Sequence, residues 1–347
     1  MKFKTVAYKG SKRKLLNDIE LIASDIGART VFDGFSGTGI VSAHLRNKGF
    51  QVDANDISDS AYIFGSVFLQ GYNEKLVSNI VQQMNEIDPV RGWLSENYSG
   101  TRDRLIRGTG GQVQNRPMGY ILSNAMKLDA AREYIETLGI TEEDKNALIF
   151  SIILAADSVF NNSNDQKSSL KEWQSKSLKD VLFEAPTLVN GFKGTQYKGD
   201  ILKNDLGHYD MVYLDPPYTH GVLYDSCYHL NDSIARWDKP DLDYDYALPR
   251  PKNICYRKNG EKAGMFYNKK TAIECFENIA NKFDCKRMVL SYSDAPRNTL
   301  TIEELFDILS KRGKCYIRTK DHKICMQPKS MNKVSTNLKE YFIIIDI

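Results

Sequence analysis

The chain has 347 residues, 41% of them hydrophobic, enough to bury a sizeable core in one large domain or two smaller ones; a disordered or fibrous protein is excluded. Its 47 Lys and Arg against 44 Asp and Glu leave a formal charge of only +3, so any surface for a polyanion has to be local. The cysteines (Cys227, Cys255, Cys275, Cys285, Cys315 and Cys325) contain no CxxC pair, which reads as reduced thiols and speaks against a metal site. The basic N-terminus lacks the apolar run of a signal peptide, and no stretch approaches the ~20 apolar residues of a membrane span, so a cytoplasmic protein is expected.

In chain order, residues 30–35 predict a short buried strand, 39–48 a helix packing Ile40, Val41, Ala43 and Leu45, and 51–54 a second strand. Strand, glycine-rich turn, helix, strand is the opening of a parallel α/β sheet. From about residue 73 to 190 helical periodicity dominates, broken by polar loops at 102–116 and 161–169. Strand patterns return at 195–198, 210–214, 287–292, 314–319 and 341–346. The simplest organisation is a sheet domain built from residues 1–72 and 191–347, with a helical domain, 73–190, inserted between.

The turn Asp33-Gly34-Phe35-Ser36-Gly37-Thr38-Gly39 lies between the first strand and the first helix. Glycines there let a ligand approach the backbone, and the helix N-terminus offers unpaired N–H groups, so a nucleotide-like guest fits. A dinucleotide fingerprint needs a further glycine at position 42, which is Ser42, so a pyrophosphate cofactor and a nicotinamide-dependent dehydrogenase fit less well. Asn55-Asp56 follows the second strand, where a carboxylate can accept hydrogen bonds from ribose hydroxyls.

A later strand ends in Asp215-Pro216-Pro217-Tyr218. The carboxylate falls at the carboxyl edge of the sheet, where open α/β folds bind ligands. The prolines fix the backbone and leave carbonyl acceptors without competing N–H donors. Such a corner suits a substrate that donates two hydrogens from one planar amine, with Tyr218 stacking on the ring that carries it. A strand-terminating turn with a surface tyrosine is the competing reading of these four residues.

Taken together these pieces carry a resemblance. The turn 33–39 is similar to the S-adenosylmethionine turn, and Asp215-Pro216-Pro217-Tyr218 to the catalytic motif, of the Dam-like family of DNA adenine methyltransferases. Tyr8-Lys9-Gly10-Ser11-Lys12 resembles that family's N-terminal motif, and Ser291-Tyr292-Ser293 follows a late strand in the matching order. The resemblance implies a Rossmann-like methyltransferase sheet, mostly parallel with an antiparallel C-terminal strand. It implies that Asp215, Pro216 and Tyr218 are catalytic, and that the cofactor, S-adenosylmethionine, is held by Tyr8, Lys12, Asp33, Phe35, Gly37, Gly39, Asp56 and Asp200. The implied reaction is methylation of the N6 amine of adenine in double-stranded DNA, with the base flipped out of the helix and no metal required. The resemblance also makes a cognate restriction endonuclease an expected partner.

Two basic segments are candidates for DNA contact. One is the glycine-containing loop with Arg102, Arg104 and Arg107; the other is the arm around Arg257 and Lys258, with aromatic residues interleaved. Rival readings keep the same corner but use cytosine or adenine in RNA, or keep the fold as a non-catalytic DNA-binding protein.

Overall fold

The computed structural model describes residues 3–8, 10–100, 119–162, 166, 172–204, 206–217, 224–240, 265–295, 298–323 and 337–347. In chain order the elements begin α1 (Leu16–Ser24), β1 (Thr30–Asp33), α2 (Ile40–Asn47), β2 (Gln51–Asp56), α3 (Asp59–Gln70), α4 (Glu74–Glu86) and α5 (Trp93–Asn97). A short pair, β3 (Ser99–Gly100) and β4 (Tyr120–Ile121), precedes α6 (Leu122–Glu136) and α7 (Glu142–Val159). There follow β5 (Gln196–Lys198), β6 (Tyr209–Leu214), α8 (Tyr224–Arg236), α9 (Lys269–Lys282), β7 (Cys285–Ser293), α10 (Ile302–Leu309), β8 (Lys314–Lys323) and β9 (Asn337–Asp346).

The chain divides into two compact units. One comprises Gly10–Gly65, Val189–Tyr224 and Asn259–Ile347 and carries a seven-stranded sheet in the order β5-β2-β1-β6-β7-β9-β8. The first five strands are parallel, and β9 is antiparallel to both β7 and β8. All seven strands coincide with strand patterns read from the sequence, and the helix expected at 39–48 is α2. For the central strands the reason is physical: parallel strands covered on both faces must be largely apolar. Phe32, Val212, Leu214, Met288 and Leu290 are buried, and α9 and α10 supply Phe276, Ile279 and Leu305 to the same core. A capping box starts α10: the Thr301 hydroxyl accepts from the Glu304 N–H, and the Glu304 carboxylate accepts from the Thr301 N–H.

Register places the functional edge. Asp33 lies beside Ala54 on β2 and Tyr213 on β6, so the chain leaves β1, β2 and β6 on the same side of the sheet. Because β9 runs the other way, its early part reaches that side, with Glu340 opposite Ser293 at the end of β7.

The other unit comprises Met1–Lys9, Ser66–Leu188 and Asp225–Lys258 and is helical. Its buried polar side chains complete helix ends that would otherwise leave backbone groups unpaired. Asp129 on α6 accepts from the Leu94 and Ser95 N–H groups at the start of α5, each at 2.8 Å. Arg132, one turn on, donates to the Ile234 and Ala235 carbonyls at the end of α8. No described helix is long and apolar enough to cross a membrane.

Candidate active site at the carboxyl edge of the sheet

The turn after β1 is built by glycine conformation and by carboxylates beneath it. Gly37 and Gly39 have φ of 50° and 69°, the left-handed region that residues with a Cβ avoid. Gly34 is needed for space, since a Cβ there would meet Ile201 Cδ1 at 2.6 Å and Leu214 Cδ2 at 2.7 Å. Asp56, 5% exposed at the end of β2, accepts the Gly37 N–H on one oxygen at 2.8 Å and the Ser58 N–H on the other at 3.0 Å. The carboxylate read as a ribose acceptor therefore also fixes the glycine turn. Neighbouring Asn55 donates to the Gly34 and Gly199 carbonyls and accepts from Asn204, tying the turn to the loop after β5.

Asp33 lies under this turn. It is 1% exposed, its Oδ2 accepts the Ser42 hydroxyl at 2.6 Å, and its Oδ1 is buried with no hydrogen-bond partner. Burial, with Asp215 and Asp56 as negative neighbours, pushes its carboxyl up to about 7. Ser42 thus occupies the fingerprint position of a glycine and donates to Asp33 from the first turn of α2. Phe35 packs edge-on against Phe266, ring centroids 5.6 Å apart.

At the next strand end, Asp215 follows β6 with its side chain 21% exposed, and Pro216 behind it is buried. The Lys12 ammonium lies 2.8 Å from Asp215 Oδ1 and 3.4 Å from Glu340 Oε1, while the Ser291 hydroxyl donates to that same Glu340 oxygen at 2.6 Å. Burial pushes the Asp215 carboxyl up to about 6; Lys12 opposes the rise and Glu340 adds to it. The start of the same strand shows the opposite case. Asp210 is held well below the usual carboxylate range by Lys286 and by the Arg29 and Thr30 N–H groups.

Lys12, Asp33, Phe35, Gly37, Gly39, Asp56, Asp200, Asp215 and Pro216 all belong to this unit, and Asp33, Asp56, Lys12 and Asp215 are near neighbours in it. Asp200, in the turn after β5, accepts the Leu202 N–H at 3.0 Å. Tyr8, which the resemblance places beside the cofactor, belongs to the helical unit, where its ring stacks on Tyr228 with centroids 4.2 Å apart. Tyr218, Arg102, Arg104, Arg107, Arg257 and Lys258 lie outside the described residues, as do the 102–116 loop and most of the 161–169 loop. Sequence reading missed Glu340, whose only signal is an acid preceding the apolar run of β9.

A family model described as D12 class N6 adenine-specific DNA methyltransferase matches residues 8–310. The chain is 24% identical to "Type II methyltransferase M.CviAII" of Paramecium bursaria Chlorella virus 1, an alignment covering 99% of this chain and 98% of the relative. It is 24% identical to "Modification methylase LlaI" of Lactococcus lactis subsp. lactis, covering 87% of this chain and 48% of the relative. For "Type II methyltransferase M.FokI" of Planomicrobium okeanokoites the identity is 26%, with 88% and 46% covered. The chain spans about half the length of these last two relatives and nearly all of the first.

Proposed function

From the premise that the chain belongs to the D12 class N6 adenine-specific DNA methyltransferase family, we propose that Asp215, Pro216 and Tyr218 form the corner that receives the target adenine. The enzyme uses S-adenosylmethionine and methylates N6 of adenine in DNA. The observation that carries the catalytic assignment is the Asp215 carboxylate at the carboxyl edge, largely buried yet held by Lys12.

A cationic cofactor suits this edge. Asp33, Asp56, Asp200, Asp215 and Glu340 collect around the strand ends with Lys12 among them, and one oxygen of Asp33 is buried without a partner. When bound, S-adenosylmethionine supplies an electrophilic methyl group on a positively charged sulfur. Gly37 and Gly39 would let it approach the backbone, Asp56 would accept from its ribose, Asp200 from its adenine amine, and Phe35 would lie beside them; Lys12 would reach its methionine end. Asp33 acts from beneath, through Ser42 and the start of α2.

The adenine amine is a poor nucleophile because its lone pair is delocalised into the ring. The Asp215 carboxylate and the Pro216 carbonyl would accept its two hydrogens, favour a pyramidal nitrogen and stabilise the charge that develops. Holding the amine in line supplies much of the remaining acceleration. The amine is inaccessible inside a duplex, so the base must leave the stack, with Tyr218 receiving its face. Duplex DNA would be held through Arg102, Arg104, Arg107, Arg257 and Lys258. The relatives' descriptions as type II and modification methylases support a restriction endonuclease of the same recognition sequence as the functional partner, and a DNA substrate supports a cytoplasmic site of action.

The decisive experiment digests duplex DNA after incubation with enzyme and cofactor and identifies the modified nucleoside by mass spectrometry. N6-methyladenine is expected; methylcytosine alone would overturn the assignment. The pH profile of single turnover adds a second check. Asp215 must be ionised to stabilise the positive charge that develops on the amine, and its carboxyl is raised to about 6, so the rate should hold above that pH and fall below it. A flat profile between pH 7 and 5 would remove Asp215 from the mechanism.

Asp56→Ala should act on two levels. It leaves the Gly37 and Ser58 N–H groups without their acceptor, at a cost of about 1–3 kcal/mol each if they stay dry, and it removes the ribose acceptor. Lower thermal stability and weaker cofactor binding by calorimetry are expected. Asp56→Asn keeps one acceptor oxygen and should recover part of both; unchanged cofactor affinity in Asp56→Ala would discard the ribose role.

A further inference from the structure

Lys12 sits between two carboxylates that the reaction does not need equally. If Asp215 accepts from the target amine, as proposed above, a lysine bound to Asp215 alone is a problem. It would neutralise the charge that the amine requires and compete for Oδ1 with a nitrogen that is itself becoming cationic. The second carboxylate resolves this. Glu340 is 2% exposed at the start of β9, a burial that a carboxylate tolerates only when paired and hydrogen-bonded. Its Oε1 receives both the Ser291 hydroxyl, 2.6 Å away on the neighbouring strand, and the Lys12 ammonium at 3.4 Å. Lys12 also donates to the Gly10 carbonyl at 3.2 Å, which anchors its end of the network.

We infer that Glu340, fixed by Ser291, is a positioning residue that shares the Lys12 ammonium with Asp215 and takes more of it as the target amine gains positive charge. One cation between two carboxylates leaves the group with a net negative charge, so Asp215 keeps its attraction for the amine while Lys12 still compensates its burial. Lys12 needs only a short shift from Asp215 toward Glu340, with no group leaving the network. Among the described residues, the ionisable groups whose charge acts on this cluster include Tyr213 on β6, beside Asp215, Lys12 and Glu340, and Asp33 at the end of β1, beside Asp215. Neither is a cation, so neither can replace Lys12.

The test uses the full chain, with saturating S-adenosylmethionine and a duplex that the wild type methylates, in single turnover across pH. Glu340→Gln keeps shape and the acceptor for Ser291 but removes the charge, so Lys12 falls wholly to Asp215. The rate on the plateau should drop roughly 10–100-fold, below the ~10²–10³ of a direct electrostatic contact. DNA affinity should change little, and cofactor is kept saturating so that any change in Lys12's contact with it does not enter the rate. The acid limb should move to lower pH, because the negative neighbour that raises the Asp215 carboxyl is gone. A merely structural role would lower thermal stability and leave the limb in place. Glu340→Asp retains the charge at a longer reach and should show an intermediate rate with the limb near its wild-type position; it serves as the test variant if Glu340→Gln does not fold. A wild-type rate in either folded variant, or an unmoved limb in Glu340→Gln, overturns the inference. Asp215→Ala is run alongside: if it is inactive while Glu340→Gln behaves as wild type, only the role of Glu340 falls, whereas an active Asp215→Ala removes the catalytic assignment itself.

Discussion

Asp215→Ala is expected to abolish methyl transfer while cofactor and DNA binding stay close to wild type. The carboxylate acts chiefly on the amine as it becomes cationic, so its loss is felt in the transition state and little in either ground-state complex. Removing one such electrostatic contact costs ~10²–10³ in rate, and more if the carboxylate also takes the proton. The structure gives a reason to expect a folded variant. Lys12 would keep the Glu340 carboxylate at 3.4 Å and the Gly10 carbonyl at 3.2 Å, so its charge is not orphaned. Asp215→Asn keeps the shape and one acceptor oxygen but loses the charge, and a small residual rate is expected. Single-turnover methylation at saturating cofactor measures both; a near-wild-type rate for Asp215→Ala would reduce the corner to a turn.

The strand ends that carry the candidate site are legible in the sequence, and the reason lies in the strands. The central strands β1, β6 and β7 carry short buried apolar runs (Val31-Phe32, Met211 to Leu214, Met288 to Leu290), so their ends are easy to find, whereas β2 alternates apolar with polar residues and is legible mainly from the glycine turn and helix before it. In an open α/β sheet those ends are where ligands bind, which is why Asp33, Asp56 and Asp215 stood out. Their division of labour did not. That Asp33 works from below through Ser42, and that Asp56 holds the Gly37 N–H, depends on hydrogen bonds that spacing does not encode. Tyr8 and Lys12 lie four positions apart in one motif, yet Tyr8 stacks on Tyr228 while Lys12 binds Asp215.

Glu340 was invisible for a topological reason. The pattern of the last strand draws the eye to its apolar run and to its carboxyl end, but β9 is antiparallel to β7, so its beginning is the part that reaches the functional edge. Its hydrogen-bond partner, Ser291, is 49 positions away. Only the pairing register brings the two together.

That same network makes Lys12→Ala the second large effect, and one that can be read without any activity measurement. Lys12 is 5% exposed and is an ion-pair partner of both Asp215 and Glu340. Breaking a buried pair by removing one partner typically costs about 3–5 kcal/mol, because the remaining charge is left uncompensated. Here two carboxylates are left, and the penalty should depend on pH. Without the cation that opposes the rise, the Asp215 carboxyl in the folded state moves above the value of about 6 that it has beside Lys12, and further above its unfolded value. A folded-state carboxyl with a raised pKa binds its proton more tightly than the unfolded chain does, so stability falls as pH rises from the unfolded toward the folded value. The destabilisation of Lys12→Ala relative to wild type should therefore be larger at pH 8 than at pH 5. Urea unfolding at the two pH values measures it. An equal loss at both would mean that the carboxylates find another cation or water on their own, and that Lys12 does not hold the corner together.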